Sequence, residues 1–151
     1  MAETIALIDF GAGNLHSVYN ALKAAWAQNV EITADPEVVA KADRIVLPGV
    51  GAFGACRDAL FNISGLVEAL EQRVLNEAVP FLGICVGMQL LAKTSSELGE
   101  HQGLGWCDGR VEKIPAHRNV KVPHMGWNEV DTMNAGHPVV RKGEAYFLHG
   151  Y

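Results

Sequence analysis

Over the first 93 residues, short apolar runs end in glycine-rich loops and give way to helical patterns, again and again. "TIALIDF" (4–10) stops at "GAGN", "RIVL" (44–47) at "PGVG", and the run at 80–84 at "ICVG". A further strand is expected at 30–34. Between them lie helices. Asn14 caps one whose apolar residues Leu15, Val18, Leu22 and Trp26 recur at helical spacing. Asp35 followed by Pro36 opens a short one, because proline is preorganised for the first helical position. Helical pattern returns at 56–61. Ser64 is expected to cap a longer helix over 66–77, and another is expected over 87–93. Strand and helix alternating in this way predict an α/β fold, a parallel sheet with helices on both faces. Such sheets place ligand sites at the carboxyl ends of their strands. Three of those ends carry "GAGN", "PGVG" and "ICVG".

Beyond residue 93 the pattern changes. "GLGWCDGRVEKI", "NVKVPHMGWNEV" and "EAYFLHGY" read as strands separated by turns, with little helix. They predict an antiparallel layer added to the parallel core, within a single domain spanning 1–151. The last apolar strand runs straight into Tyr151, where such a domain is expected to continue, so the domain reads as partial and C-terminally incomplete. At 49% hydrophobic the chain can bury a real core.

The net charge of −5 comes from acids and bases mixed along the chain, with no basic run to form a nucleic-acid face. The N-terminal "MAETIALIDF" lacks a basic region and does not read as a signal peptide. The longest uncharged run, 78–92, is shorter than the ~20 residues of a membrane span and is broken by Pro80, Gly83 and Gly87. Cys56, Cys85 and Cys107 form no C-x-x-C pair, so neither a zinc site nor a disulfide framework is expected. Free thiols suit a reducing compartment, and a cytoplasmic protein is expected.

"GICVG" carries the sharpest chemical signal. G-x-C-x-G has the form of a nucleophile elbow, a strand-to-helix turn that raises a reactive side chain. Close approach of strand and helix requires the flanking glycines. A helix N-terminus behind Cys85 favours a thiolate, and the Val86 amide points where an oxyanion would form. The plainer reading is a buried inert thiol, which is taken for Cys56 and Cys107. "PGVGAFG" holds glycines that let amides point outward together, as an anion site needs, although taken alone it reads better as a plain glycine-rich turn. "GAGNLH" has His16 where a dinucleotide loop would need its third glycine. Six histidines, His16, His101, His117, His124, His137 and His149, offer candidate bases, and none lies in a motif that marks it as one.

Taken in order, "DFGAGNL", "LPGVGAFG", "GICVGMQLL" and "VPHMGWNEV" resemble the glutaminase subunits of imidazole glycerol phosphate synthase. These are class I, triad-type glutamine amidotransferases of histidine biosynthesis. The resemblance runs from about Ile5 to Tyr151 and implies a flavodoxin-like core. It implies that Cys85 attacks the carboxamide of glutamine, forming a thioester and releasing ammonia. The oxyanion hole would use the Val86 amide and an amide of the Val50–Gly51 peptide. Gln89 and Glu97 would contact glutamine, as would the stretch containing Gly150 and Tyr151, where glycine stands in place of the family's usual serine. Ammonia would pass to a (β/α)₈-barrel cyclase subunit docked over Asn14, Met125, Trp127 and Asn128, in a heterodimer. No metal or other cofactor is implied.

The family's base is a histidine followed two residues later by glutamate. His-x-Glu occurs nowhere in these 151 residues. A cysteine nucleophile works best with an adjacent base, so little turnover is expected of this stretch alone. A non-catalytic docking subunit, or a different elbow-cysteine enzyme, are the alternatives.

Overall fold

The computed structural model describes residues 3–116, 121–132 and 139–151. They form two compact units, 1–111 and 112–151. In the first unit, strands β1 (Thr4–Ile8), β2 (Asn29–Thr33), β3 (Arg44–Gly49) and β4 (Phe81–Cys85) make one sheet in the order β2-β1-β3-β4. Every pairing in that sheet is parallel. Helices α1 (Leu15–Ala24), α2 (Pro36–Val39), α3 (Phe53–Phe61) and α4 (Leu66–Glu71) supply the crossovers. The α/β class read from the alternation is therefore the observed one.

Successive side chains of a strand face opposite ways. Ala6, Ile8, Ile45 and Leu47 share one face, and Leu7 and Val46 share the other; all are buried. The central strands are thus covered on both sides, as a parallel sheet requires. The main core joins the first face to Val39, Phe53, Cys56, Leu60, Leu66, Leu70, Val86 and Leu90.

Local signals explain most boundaries. The Asn14 side chain accepts from the Ser17 N–H at 3.3 Å, and the Asp35 side chain accepts from the Glu37 N–H at 2.9 Å. Both are the expected N-caps. Ser64 is not a cap: Gly65 holds that position at φ +79°, a conformation suited to glycine, and no side chain caps α4. The helix expected over 66–77 is α-helical only to Glu71 and continues as a π-helix over Gln72–Asn76.

The largest departure follows Cys85. The helix expected over 87–93 is a single turn, α5 (Val86–Gln89), and the chain then extends into β5 (Ala92–Ser95). The returning segment causes this. N–H groups of Gly103, Leu104, Gly105 and Cys107 donate to the carbonyls of Lys93, Leu90, Ala92 and Leu91, at 2.8–3.2 Å. Those carbonyls are satisfied by the returning segment rather than by the next helical turn. Strand β5 pairs antiparallel with β6 (His101–Gln102) but parallel with β7 (Cys107–Val111), so this added layer is mixed rather than purely antiparallel.

The second unit is a hairpin of β8 (His124–Val130) and β9 (Gly143–His149), fully antiparallel, with His124 opposite His149 and Trp127 opposite Tyr146. One face of it presents Met125, Trp127, Tyr146 and Leu148, all exposed, with Trp127 72% accessible.

Candidate functional site

Strands β1, β3 and β4 are neighbours, so the loops at their carboxyl ends are brought together. Cys85 ends β4 and stands opposite Gly49, the last residue of β3. A Cβ on Gly13 would lie 3.0 Å from the Pro48 ring, which places the "GAGN" loop against "PGVG". Three glycine loops far apart in sequence thus form one cluster at the edge predicted to bind ligand.

Cys85 has φ +56° and ψ −120°. A side-chain-bearing residue pays strain for such a backbone, of the order of 1–3 kcal/mol, and holds it only where neighbours over-determine it. Here the neighbours are main chain. A Cβ on Gly87 would fall 2.0 Å from the Leu47 carbonyl oxygen, and one on Gly83 2.6 Å from Met88 Cα. One on Gly49 would lie 2.5 Å from the Gly87 nitrogen. Both elbow glycines are therefore required by close approach, as the motif implied. The thiol is half-buried at the join, neither sealed in the core nor fully open.

The "PGVG" loop is fastened at several points. The Val50 N–H donates to the Ala12 carbonyl at 3.1 Å. The Cys56 thiol donates to the Val50 carbonyl at 3.2 Å. The Phe53 N–H, at the start of α3, donates to the Glu97 carboxylate at 2.8 Å. Glu97 is itself oriented by its own N–H, which donates to the buried Ser95 hydroxyl at 3.2 Å. Glu97 thus caps α3 from 44 residues away, where the local N-cap residue, Ala52, offers no side chain to do so. Gly51 sits at φ +106° with open space around it, and Val50 is 51% exposed. Val86 is buried, and Gln89 lies half-buried one turn beyond Cys85.

The first unit therefore assembles Cys85, Val86, Val50, Gly51 and Glu97 around one loop cluster, with Asn14 exposed at its rim. Met125 and Trp127 lie exposed on β8, and the Asn128 side chain accepts from the Glu129 N–H. Gly150 follows β9, its carbonyl accepting from the Ile114 N–H at 2.9 Å, and Tyr151 is half-buried. Among the histidines, His16 is exposed on α1 beside Asn20, and His101 packs on Gly54 and the Phe53 ring. His124 faces the Phe147 ring, and His117 and His137 lie outside the described residues. Among the described residues no cluster of His, Cys, Asp and Glu could hold a metal ion, and no helix is long and apolar enough to cross a membrane.

Cys56, read from sequence as an inert core thiol, is indeed buried, but it also touches the loop. Its place in the first turn of α3, six residues after Val50, was the available clue. Burial is the main cause that pushes this thiol up, against a smaller opposite pull from its hydrogen bond with Val50. The linkage has a definite sign. Above the ordinary thiol range the unfolded chain loses a proton that the fold retains, so stability present below that range declines as pH rises. The urea midpoint is expected to fall as pH rises above about 8.5, and to fall less in Cys56→Ala. A second expectation concerns alkylation. Cys107 is exposed, so iodoacetamide will label it together with Cys85, while Cys56 stays unlabelled until the chain unfolds. Peptide mass spectrometry resolves the three.

Known proteins show the family. The profile of the family described as glutamine amidotransferase class-I matches residues 6–147. The imidazole glycerol phosphate synthase subunit HisH of Zymomonas mobilis is 56% identical over 153 aligned positions, covering 99% of this chain and 72% of that protein. Its namesake from Rhodospirillum rubrum is 50% identical, covering 97% and 73%. That from Bradyrhizobium diazoefficiens is 47% identical, covering 98% and 74%. With its elbow cysteine, its paired glycine loops and these matches along nearly its whole length, the chain belongs to the class-I glutamine amidotransferases, among the HisH subunits of imidazole glycerol phosphate synthase.

Proposed function

We propose that this chain is the glutaminase part of an imidazole glycerol phosphate synthase, hydrolysing glutamine to glutamate and ammonia for histidine biosynthesis. The observation that carries this is the strained elbow at Cys85, set opposite the "PGVG" loop in a chain of this family. The Cys85 sulfur attacks the carboxamide carbon of glutamine. Negative charge develops on the former carbonyl oxygen, where preorganised N–H donors are worth most. The Val86 amide is one such donor. The second comes from the loop at Val50 and Gly51, whose Val50 N–H here donates to the Ala12 carbonyl. Collapse of the adduct breaks the C–N bond, releases ammonia as it takes up a proton, and leaves a γ-glutamyl thioester. Water then attacks the thioester, freeing glutamate and the thiol. The proton carrier is assigned to the histidine of the family's His-x-Glu pair, which these 151 residues do not contain.

Gln89 contacts glutamine and Glu97 its amino-acid end, and Gly150 and Tyr151 belong to a further glutamine-binding stretch. Glu97 can serve glutamine while capping α3, because a carboxylate offers about four acceptor sites. The partner is a (β/α)₈-barrel cyclase forming a heterodimer over Asn14, Met125, Trp127 and Asn128, and the exposure of Met125 and Trp127 supports this. The reaction needs no cofactor, one amidotransferase domain performs it, and its setting is the cytoplasm. To test the reading, the synthase assembled from the native gene product is supplied with glutamine or with an ammonium salt. Imidazole glycerol phosphate formation with both, and stoichiometric glutamate with glutamine only, is expected. Use of ammonium alone would leave the chain a docking subunit.

A further inference from the structure

We infer that Ser95 is a positioning residue for recognition of the amino group of glutamine: its hydroxyl fixes the backbone of Glu97 and so the direction in which that carboxylate meets an ammonium. The inference rests on the glutaminase reading, in which Glu97 contacts the amino-acid end of the substrate. That end carries an ammonium and a carboxylate, and of the two a glutamate side chain attracts the ammonium.

Glu97 is held at two points. At its tip, Oε2 accepts from the Phe53 N–H at 2.8 Å, at the start of α3. At its root, the Glu97 N–H donates to the Ser95 hydroxyl at 3.2 Å. With Oε2 tied to the helix, the direction of Oε1 is set by where the backbone of residue 97 lies. Glutamate has much rotamer freedom to lose, and losing it in advance spares the cost when a ligand arrives. The turn that follows needs such a fixed point. Leu98 and Gly99 have φ +54° and +129°, and pairing resumes only at β6. Leu98 is 83% exposed, so its side chain supplies little packing to steady the turn.

Ser95 can serve as that point because it is itself fixed. It is fully buried, and β5 is the middle strand of its three-stranded layer. His101 of β6 stands opposite it on one side and Val111 of β7 on the other. Residues opposite one another in an antiparallel pair share a face of the sheet. The His101 ring rests on Gly54 of α3, where a Cβ would lie 2.5 Å from it, so the Ser95 side chain also leaves the face turned to α3. A hydroxyl at a fully buried site is costly unless it is bonded, and the bond made here is to Glu97. The serine thus links a rigid strand to the one carboxylate that reaches the start of α3.

The test separates binding from chemistry at Cys85 and needs no turnover. A chloroketone analogue of glutamine alkylates Cys85: a sulfur–carbon bond forms, chloride leaves with the carbon–chlorine pair, and the thiol proton goes to solvent. In the synthase assembled from the native gene product, Ser95→Ala should raise its half-saturating concentration about 3- to 10-fold, the worth of one hydrogen bond, and leave the maximal rate within about twofold. With the same chloroketone lacking its amino group, both constants should stay within about twofold of wild type. Glu97→Gln, whose amide oxygen can still accept from Phe53, should raise the half-saturating concentration of the amino compound about 10-fold or more. Adding Ser95→Ala to it should change that value by less than about twofold, because the serine acts only through the carboxylate. Ser95→Cys keeps a weak acceptor and should lie between serine and alanine. An unchanged half-saturating concentration in Ser95→Ala overturns the inference. So does an equal loss with both chloroketones, a double variant whose losses simply multiply, or a cysteine variant no better than alanine. If Glu97→Gln takes the amino compound as well as wild type, Glu97 is no ammonium contact and the inference falls with it. If wild-type Cys85 reacts no faster with the glutamine chloroketone than with chloroacetone, the glutaminase reading itself fails, whereas the variant outcomes overturn the role of Ser95 and leave that reading standing.

Discussion

Cys85→Ala in the assembled synthase is expected to reduce glutamine-dependent ammonia release by about 10⁴-fold or more, while synthesis from added ammonium stays near wild type. The size follows from the chemistry. Alanine has no atom that can form the thioester, so only binding and oxyanion donors remain, and these act on water as a poor substitute nucleophile. The preserved ammonium reaction follows from the local structure. Residue 85 is held in its strained backbone by main-chain contacts of Gly83, Gly87 and Gly49, none of which involves the sulfur. The elbow, the "PGVG" loop and the partner face should thus survive the substitution. Coupled assays of glutamate and of the cyclase product check both halves. Retained glutamine-dependent release would remove Cys85 from the mechanism.

Gly87→Ala is expected to have the next largest effect, and by a different route. The new methyl would fall 2.0 Å from the Leu47 carbonyl oxygen and 2.8 Å from its carbon. Both are backbone atoms in the middle of the sheet, so no side chain can swing away to relieve the overlap. Either β3 and the elbow separate or the turn rebuilds. Overpacking of this kind costs about 3 kcal/mol. For a chain of this size that is a fall in Tm of roughly 10 °C. Because the displaced turn carries Cys85, chloroketone labelling of Cys85 should drop well beyond what the lost stability explains. Gly109→Ala is the control, since a Cβ there meets nothing within 4 Å, and it should leave both readouts unchanged. A Gly87→Ala variant with wild-type Tm and labelling would show that the close approach is not needed.

Much of this was legible in the residues because the features are local. The apolar runs, the caps at Asn14 and Asp35, and the elbow glycines are decided by neighbours a few residues away. What escaped reading depends on partners distant in sequence. The helix after Cys85 ends early because residues 103–107 return to bond its carbonyls. Nothing in "GMQLLAK" announces that return. Ser64 had the chemistry of a cap, but Gly65 with a positive φ took the turn. Glu97 was identified through resemblance as a substrate contact, and its bond to the Phe53 N–H, 44 residues away, could not be foreseen. The sequence marks Cys56 only as a core thiol, because its reach to Val50 depends on how α3 leaves the loop. The elbow and its glycine loops are thus legible from neighbours in sequence, while the fastenings between them require the fold.

The contacts that hold Cys85 upright run from ribbon to ribbon: Gly87 against Leu47, Gly83 against Met88, Gly49 against Gly87. They depend on the spacing of adjacent parallel strands, which is nearly invariant at about 4.8 Å. The shapes of the side chains packed behind the sheet hardly enter. Such a site is insulated from genetic drift in its own core. Aliphatic residues there can be exchanged over long divergence with the nucleophile still presented at the same angle, while the few glycines that let the ribbons meet admit no replacement.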